Sequence, residues 1–145
     1  MKKIIAKQLG QVLLDGKLIK PEELEEALRV QKERGGLIGR ILVSLGYTTE
    51  DNIALALTAQ YGFPYMPLAG FKIDPEVAKS IPENVAKQFE LIAVDRVGNV
   101  LTVAMSNPLN SQAIEDVESI THCKIQVFVS TATDVNELIR KSYTA

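Results

Sequence analysis

The chain repeats itself, and that repetition limits its possible folds more than any other feature. Residues 8–31 read QLGQVLLDGKLIKPEELEEALRVQ, and residues 37–60 read LIGRILVSLGYTTEDNIALALTAQ. Each copy is 24 residues long, and a five-residue spacer, Lys32 to Gly36, divides them. Aligned without a gap, Gly10 falls on Gly39, Leu13 on Leu42, Ala27 on Ala56, Leu28 on Leu57 and Gln31 on Gln60. Leu9/Ile38, Val12/Ile41, Leu14/Val43 and Leu24/Ile53 are apolar in both copies. A supersecondary unit this short cannot bury its apolar face alone, so each copy needs the other.

Each copy reads as helix, tight turn, helix. In the first, Ile5, Leu9, Val12 and Leu13 recur at helical spacing, and Gly16 is placed to cap the run. Pro21 suits the first turn of the next helix, with Glu22 and Glu23 at its positive end. Leu24, Ala27, Leu28 and Gln31 then share one face, which makes Leu28 and Leu57 equivalent core positions. In the second copy Thr48 and Asp51 resemble a capping box. Residues 1–62 are therefore expected to form a lobe of two tandem helical hairpins.

Residues 63–70, with two prolines and a glycine, read as a connector. Short helices are expected at Pro75–Ile81 and Pro82–Phe89, each opened by proline. The period then changes. Leu91–Val97 and Val100–Met105 are β-rich runs joined by Gly98-Asn99, a hairpin signal. Ala113, Val117 and Ile120 lie along a helix, Lys124–Val129 is a third strand, and Thr133-Asp134 caps a last helix. The expected class is α+β: a helical repeat lobe, then a small mixed α/β lobe over residues 71–145.

Composition excludes several functions. A net charge of −2 gives no basic footprint for nucleic acid. Residues 1–66 carry nine Lys/Arg against eight Asp/Glu and the remainder seven against ten, so the second lobe is mildly acidic. No apolar run approaches the length of a membrane span, which predicts a cytoplasmic protein without direct membrane insertion. Single cysteine and histidine residues, Cys123 and His122, cannot supply a metal site between them.

Catalysis finds little support either. GxxxxGK[ST] is absent, so this chain has no phosphate loop with which to hydrolyse nucleotide. Gly35-Gly36-Leu-Ile-Gly39 follows a helix rather than a strand, and reads as a flexible spacer instead of a dinucleotide loop. Glu22, Glu23, Glu25 and Glu26 read as a solvated helix face, Asp95 and Arg96 as exposed strand residues, and Cys123 as buried filler. The repeat itself has two readings: duplication for stability, or a ligand site of pseudo-twofold character. In the second, Gly10 and Gly39 let a backbone approach a ligand closely, and the amides of Gln31 and Gln60 can bond a base edge or a neighbouring backbone.

Leu-Gly, an apolar triplet, a Gly and a helix ending Ala-Leu-x-x-Gln, twice over, resembles the N-terminal domain of type II secretion and type IV pilus ATPases. Gln60-Tyr-Gly-Phe-Pro-Tyr, Ile81-Pro-Glu-Asn-Val-Ala, Leu101-Thr-Val-Ala-Met-Ser-Asn-Pro and the closing Ile139–Tyr143 extend the resemblance over nearly the whole chain. It implies a non-catalytic domain without a cofactor, preceding an ATPase core in the full-length chain. It also implies docking on an inner-membrane secretion or pilus assembly protein, which would hold the domain at that membrane.

In some members the repeat binds cyclic di-GMP. The resemblance carries that site onto Gln8, Leu9, Gly10 and Gln31 of the first copy and Leu37, Ile38, Gly39 and Gln60 of the second. Binding members carry Arg directly before Leu-Gly, where this chain has Gln8 and Leu37. Losing a charge-assisted contact costs about 1.5–3 kcal/mol, or roughly ten- to a hundredfold in affinity. Lys7, Arg34 and Arg40 are the nearby cations that stand to substitute. Lys17 replaces the mid-repeat glycine kept at Gly46, and Asn107-Pro108 stands where members often have Asp-Pro. Docking is the first reading, and a cyclic di-GMP receptor the second.

Overall fold

A computed structural model describes Leu9 to Tyr143. Lys7 and Gln8, with the apolar Ile5, lie outside the described residues. The chain divides at Gly62/Phe63 into two compact units.

The first unit holds α1 (Leu9–Asp15), α2 (Pro21–Arg34), α3 (Ile38–Ser44) and α4 (Glu50–Tyr61). Both hairpins turn in the same way. Leu18 N–H donates to Leu13 O and Lys17 N–H to Leu14 O, while Tyr47 N–H donates to Leu42 O and Gly46 N–H to Val43 O. This double bond pattern needs a left-handed residue after the helix, and Gly46 supplies it at φ 81°. In the first copy Lys17, not Gly16, takes that conformation, at φ 59°. A Cβ makes it costly, by about 1–2 kcal/mol.

Several helix starts differ from expectation. Glu23 accepts from Lys20 N–H at 2.8 Å, so the acidic first turn of α2 satisfies an end donor as well as the dipole. The cap of α4 is Thr49, whose Oγ1 accepts from Asn52 N–H at 3.1 Å. Thr48, the expected cap, is instead buried with a hydroxyl that has no partner. It occupies the position of the buried Ile19 in the first copy. Gly62, at φ 73°, ends α4 with its N–H on Thr58 O.

Val12, Leu13, Ile41, Leu42, Ala27, Ala56 and Leu57 fill the core of this unit. One pair breaks the symmetry. Leu57 is 0% exposed and Leu28 45% exposed, so the expected equivalence of the two as core positions does not hold.

The second unit follows with α5 (Pro75–Ala78), α6 (Glu83–Phe89), β1 (Leu91–Val97), β2 (Val100–Met105), α7 (Ser111–Thr121), β3 (Lys124–Val129) and α8 (Ala132–Tyr143). The sheet runs β1-β2-β3, with β1 antiparallel to β2 and β2 parallel to β3. Gly98 opens the hairpin at φ 61°, as a primed turn requires. Val97 at its tip is 72% exposed, and Ile120 at the end of α7 is also exposed rather than core. Asp95 and Arg96 face solvent next to a bulge after Ala93.

Residues 63–70 do more than connect. Val129 N–H donates to Pro64 O at 2.8 Å and Met66 N–H to Val129 O at 2.9 Å, so this segment adds a short parallel rung beside β3. Leu68 then enters the core. At the start of α8 the cap is Thr131, two residues before the expected Thr133; its Oγ1 accepts from Asp134 N–H at 3.3 Å.

Two polar side chains of this unit are paired across elements, while the buried Ser130 hydroxyl has no partner among the described residues. Glu90, 2% exposed and left-handed at φ 55°, accepts from Ser106 Oγ at 2.6 Å and from Asn136 Nδ2 at 3.0 Å. Tyr143 Oη lies 2.7 Å from both Ala78 O and Ile81 O, and burial with the nearby Glu83 carboxylate pushes its phenol up to about 12. Both contacts tie the last helix to distant parts of the chain.

Candidate functional site

The eight repeat positions divide by what they touch. Gln8 lies outside the described residues. Gly10 is buried, and a Cβ there would sit 2.6 Å from Leu24 Cδ1. A Cβ on Gly39 would meet Leu9 Cδ2 at 3.1 Å and Ile53 Cδ1 at 3.4 Å. Leu24 and Ile53 are equivalent residues of the two copies. Each glycine therefore admits the matching apolar side chain of its own hairpin's second helix. At both glycines the space that a Cβ would need is occupied by these side chains. Leu9 joins the two copies by reaching Gly39, while Leu37 and Ile38 open α3 half-buried.

The glutamines do not behave alike. Gln60 Nε2 donates to Val12 O at 3.2 Å and lies 2.7 Å from where a Cβ on Gly16 would stand. Gly16 makes room for it. Its counterpart in the second copy is Leu45, which carries a side chain where Gly16 has none. Gln31 does not reach back to α3 in the matching way. Its Nε2 donates to Gly36 O at 2.9 Å, and its own carbonyl accepts Gly35 N–H at 2.8 Å. Sequence reasoning ranked the two amides as equivalent; the Gly16/Leu45 difference, visible in the same alignment, is the signal that separates them.

Among the acidic residues, Glu26 leaves the solvated face expected for it. Its Oε1 accepts a short hydrogen bond from Tyr47 Oη, linking α2 to the turn after α3. That bond is the largest cause raising the Tyr47 phenol above its ordinary range. Arg34 and Arg40 are exposed near the spacer. Cys123 is buried, with its Sγ 3.4 Å from Thr121 O. Among the described residues no three His, Cys, Asp or Glu side chains gather as metal ligands, and no helix is long and apolar enough to cross a membrane.

The family model for the MshEN domain matches residues 61–145, more than half of the chain. The chain belongs to the MshEN domain family. The match falls on the α/β unit, and longer comparisons take in the repeat as well. The type IV pilus assembly ATPase PilB of Myxococcus xanthus is 32% identical over 136 residues, which cover 94% of this chain and 24% of PilB. This MshEN domain thus spans about a quarter of the length of that curated relative. A solved structure of MshE with cdg superposes at a TM-score of 0.70 and 25% identity, covering 94% of this chain and 99% of that one. The N-terminal domain of XpsE gives 0.76 at 20% identity, covering 94% of each chain, and shows the same α+β fold. The chain is homologous to the N-terminal domains of type II secretion and type IV pilus ATPases.

Proposed function

We propose that this domain is a non-catalytic docking and regulatory module of a secretion or pilus-assembly ATPase. In this reading an ATPase core follows in the full-length chain. The partner is the cytoplasmic part of an inner-membrane assembly protein, through which the domain is held at that membrane. The observation that carries the reading is the alignment of 94% of the chain to a 24% portion of a pilus ATPase. The α/β unit is the favoured docking surface. It is mildly acidic and exposes Tyr65, Phe71, Val97 and Ile120, while its buried side chains form one core. Binding of the cognate membrane protein, followed by calorimetry, is expected to weaken more than tenfold in Val97→Asp or Ile120→Glu. Leu55→Asp, on the exposed face of the repeat unit, is expected to leave it unchanged. A loss confined to Leu55→Asp would place docking on the repeat.

A second reading, a cyclic di-GMP receptor, is favoured by the likeness to MshE with cdg and by the tandem copies. The dianion needs positioned cations, and Leu37 offers none at the start of α3. Calorimetry is expected to show no binding, or binding weaker than roughly 10 µM. Gln8→Arg with Leu37→Arg is expected to strengthen it. Submicromolar binding by the unmodified chain would promote the receptor reading, with Lys7, Arg34 or Arg40 as the substituting cations.

A further inference from the structure

The spacer between the two hairpins is a shaped element rather than slack chain. Gly35 has φ 76° and ψ −172°, a region essentially closed to residues with a Cβ, and Gly36 has φ 104°. Neither glycine packs against the fold in a way that would impose these angles: a Cβ on Gly35 would meet nothing within 4 Å, and one on Gly36 only Ile41 Cδ1 at 3.9 Å. What holds them is Gln31. Its main-chain carbonyl takes Gly35 N–H at 2.8 Å, and its side-chain amide caps Gly36 O at 2.9 Å. Leu37 follows as the residue before α3, so these two bonds act at the point where the second hairpin leaves the first.

We propose that Gln31 is the latch of a glycine hinge, and that releasing its carboxamide frees the start of α3 from the end of α2. The side-chain bond is exposed, so an incoming group can compete for it. Gln31 is also one of the repeat positions assigned above to a ligand. On that reading, a ligand that recruits the Gln31 amide must first take it from Gly36 O, and so opens the hinge. Gln60 carries no such role: its amide is spent on Val12 O, within the helical packing.

The latch is tested without any ligand, so its failure is separable from failure of the receptor reading. Amide exchange at Gly35 and Ile41 is followed by NMR in the whole domain for Gln31→Ala, Gln31→Glu and the control Gln60→Ala. Both amides are hydrogen-bonded, to Gln31 O and Leu37 O. Gln31→Ala is expected to speed exchange at both by about three- to tenfold, the scale of one exposed hydrogen bond. Gln31→Glu, which cannot donate and sets a carboxylate against the Gly36 carbonyl, is expected to do at least as much. Gln60→Ala is expected to leave both rates within twofold. Unchanged rates in Gln31→Ala, or equal acceleration by Gln60→Ala, would overturn the latch.

Discussion

The two hairpins carry one 24-residue pattern, yet they are finished differently. Backbone features repeat: both turns use the same pair of hydrogen bonds, and both glycines near the start admit a side chain from their own second helix. Side-chain roles do not. Leu57 is buried where Leu28 is exposed, Ile19 is apolar where Thr48 buries an unpartnered hydroxyl, and Gly46 is at ease where Lys17 is strained. Local pattern sets the shape of a hairpin. What packs on it from outside decides which of its faces is core.

The largest effect should come from the unequal leucines. Leu57→Ala is expected to destabilise the domain by about 2–5 kcal/mol, since a buried leucine leaves a cavity. Leu28→Ala should cost under about 1 kcal/mol, because a half-exposed side chain loses little burial. Denaturant melts of the two variants check this, and equal losses would mean that the copies are packed alike after all.

A smaller difference lies in the turns. Lys17→Gly is expected to stabilise by about 0.5–1 kcal/mol, relief of the left-handed strain being partly offset by greater freedom of the unfolded chain. Gly46→Lys, the reverse exchange in the other copy, is expected to destabilise by about 1 kcal/mol. Thermal melts with opposite shifts would sharpen the comparison; shifts of one sign would break it.

Much of the fold was legible because it rests on local signals. The three strands were readable to the residue from their β-branched runs and the Gly98-Asn99 turn. Caps slipped by one or two positions, Thr49 for Thr48 and Thr131 for Thr133, because neighbouring threonines offer the same chemistry and only backbone angles choose between them. The rung at Pro64–Met66 was hidden, since two prolines signal a loop and the pairing partner lies some sixty residues away in the sequence. For the ligand positions, the alignment placed Gln31 and Gln60 on equal terms. Their bonds differ, and the room that Gly16 leaves for Gln60 is a contact between copies that no helical period encodes.

The buried carboxylate of Glu90 has a consequence for how the second unit comes apart. It stands at the turn between α6 and β1, and its donors come from the end of β2 and from α8. Three stretches far apart in sequence thus share one acceptor that is excluded from solvent. If any of them frays alone, the other two are left holding a polar group without its full set of donors, which is costly in a dry interior. The last helix and the sheet should accordingly open as one cooperative block, protected to the same extent against slow exchange with solvent.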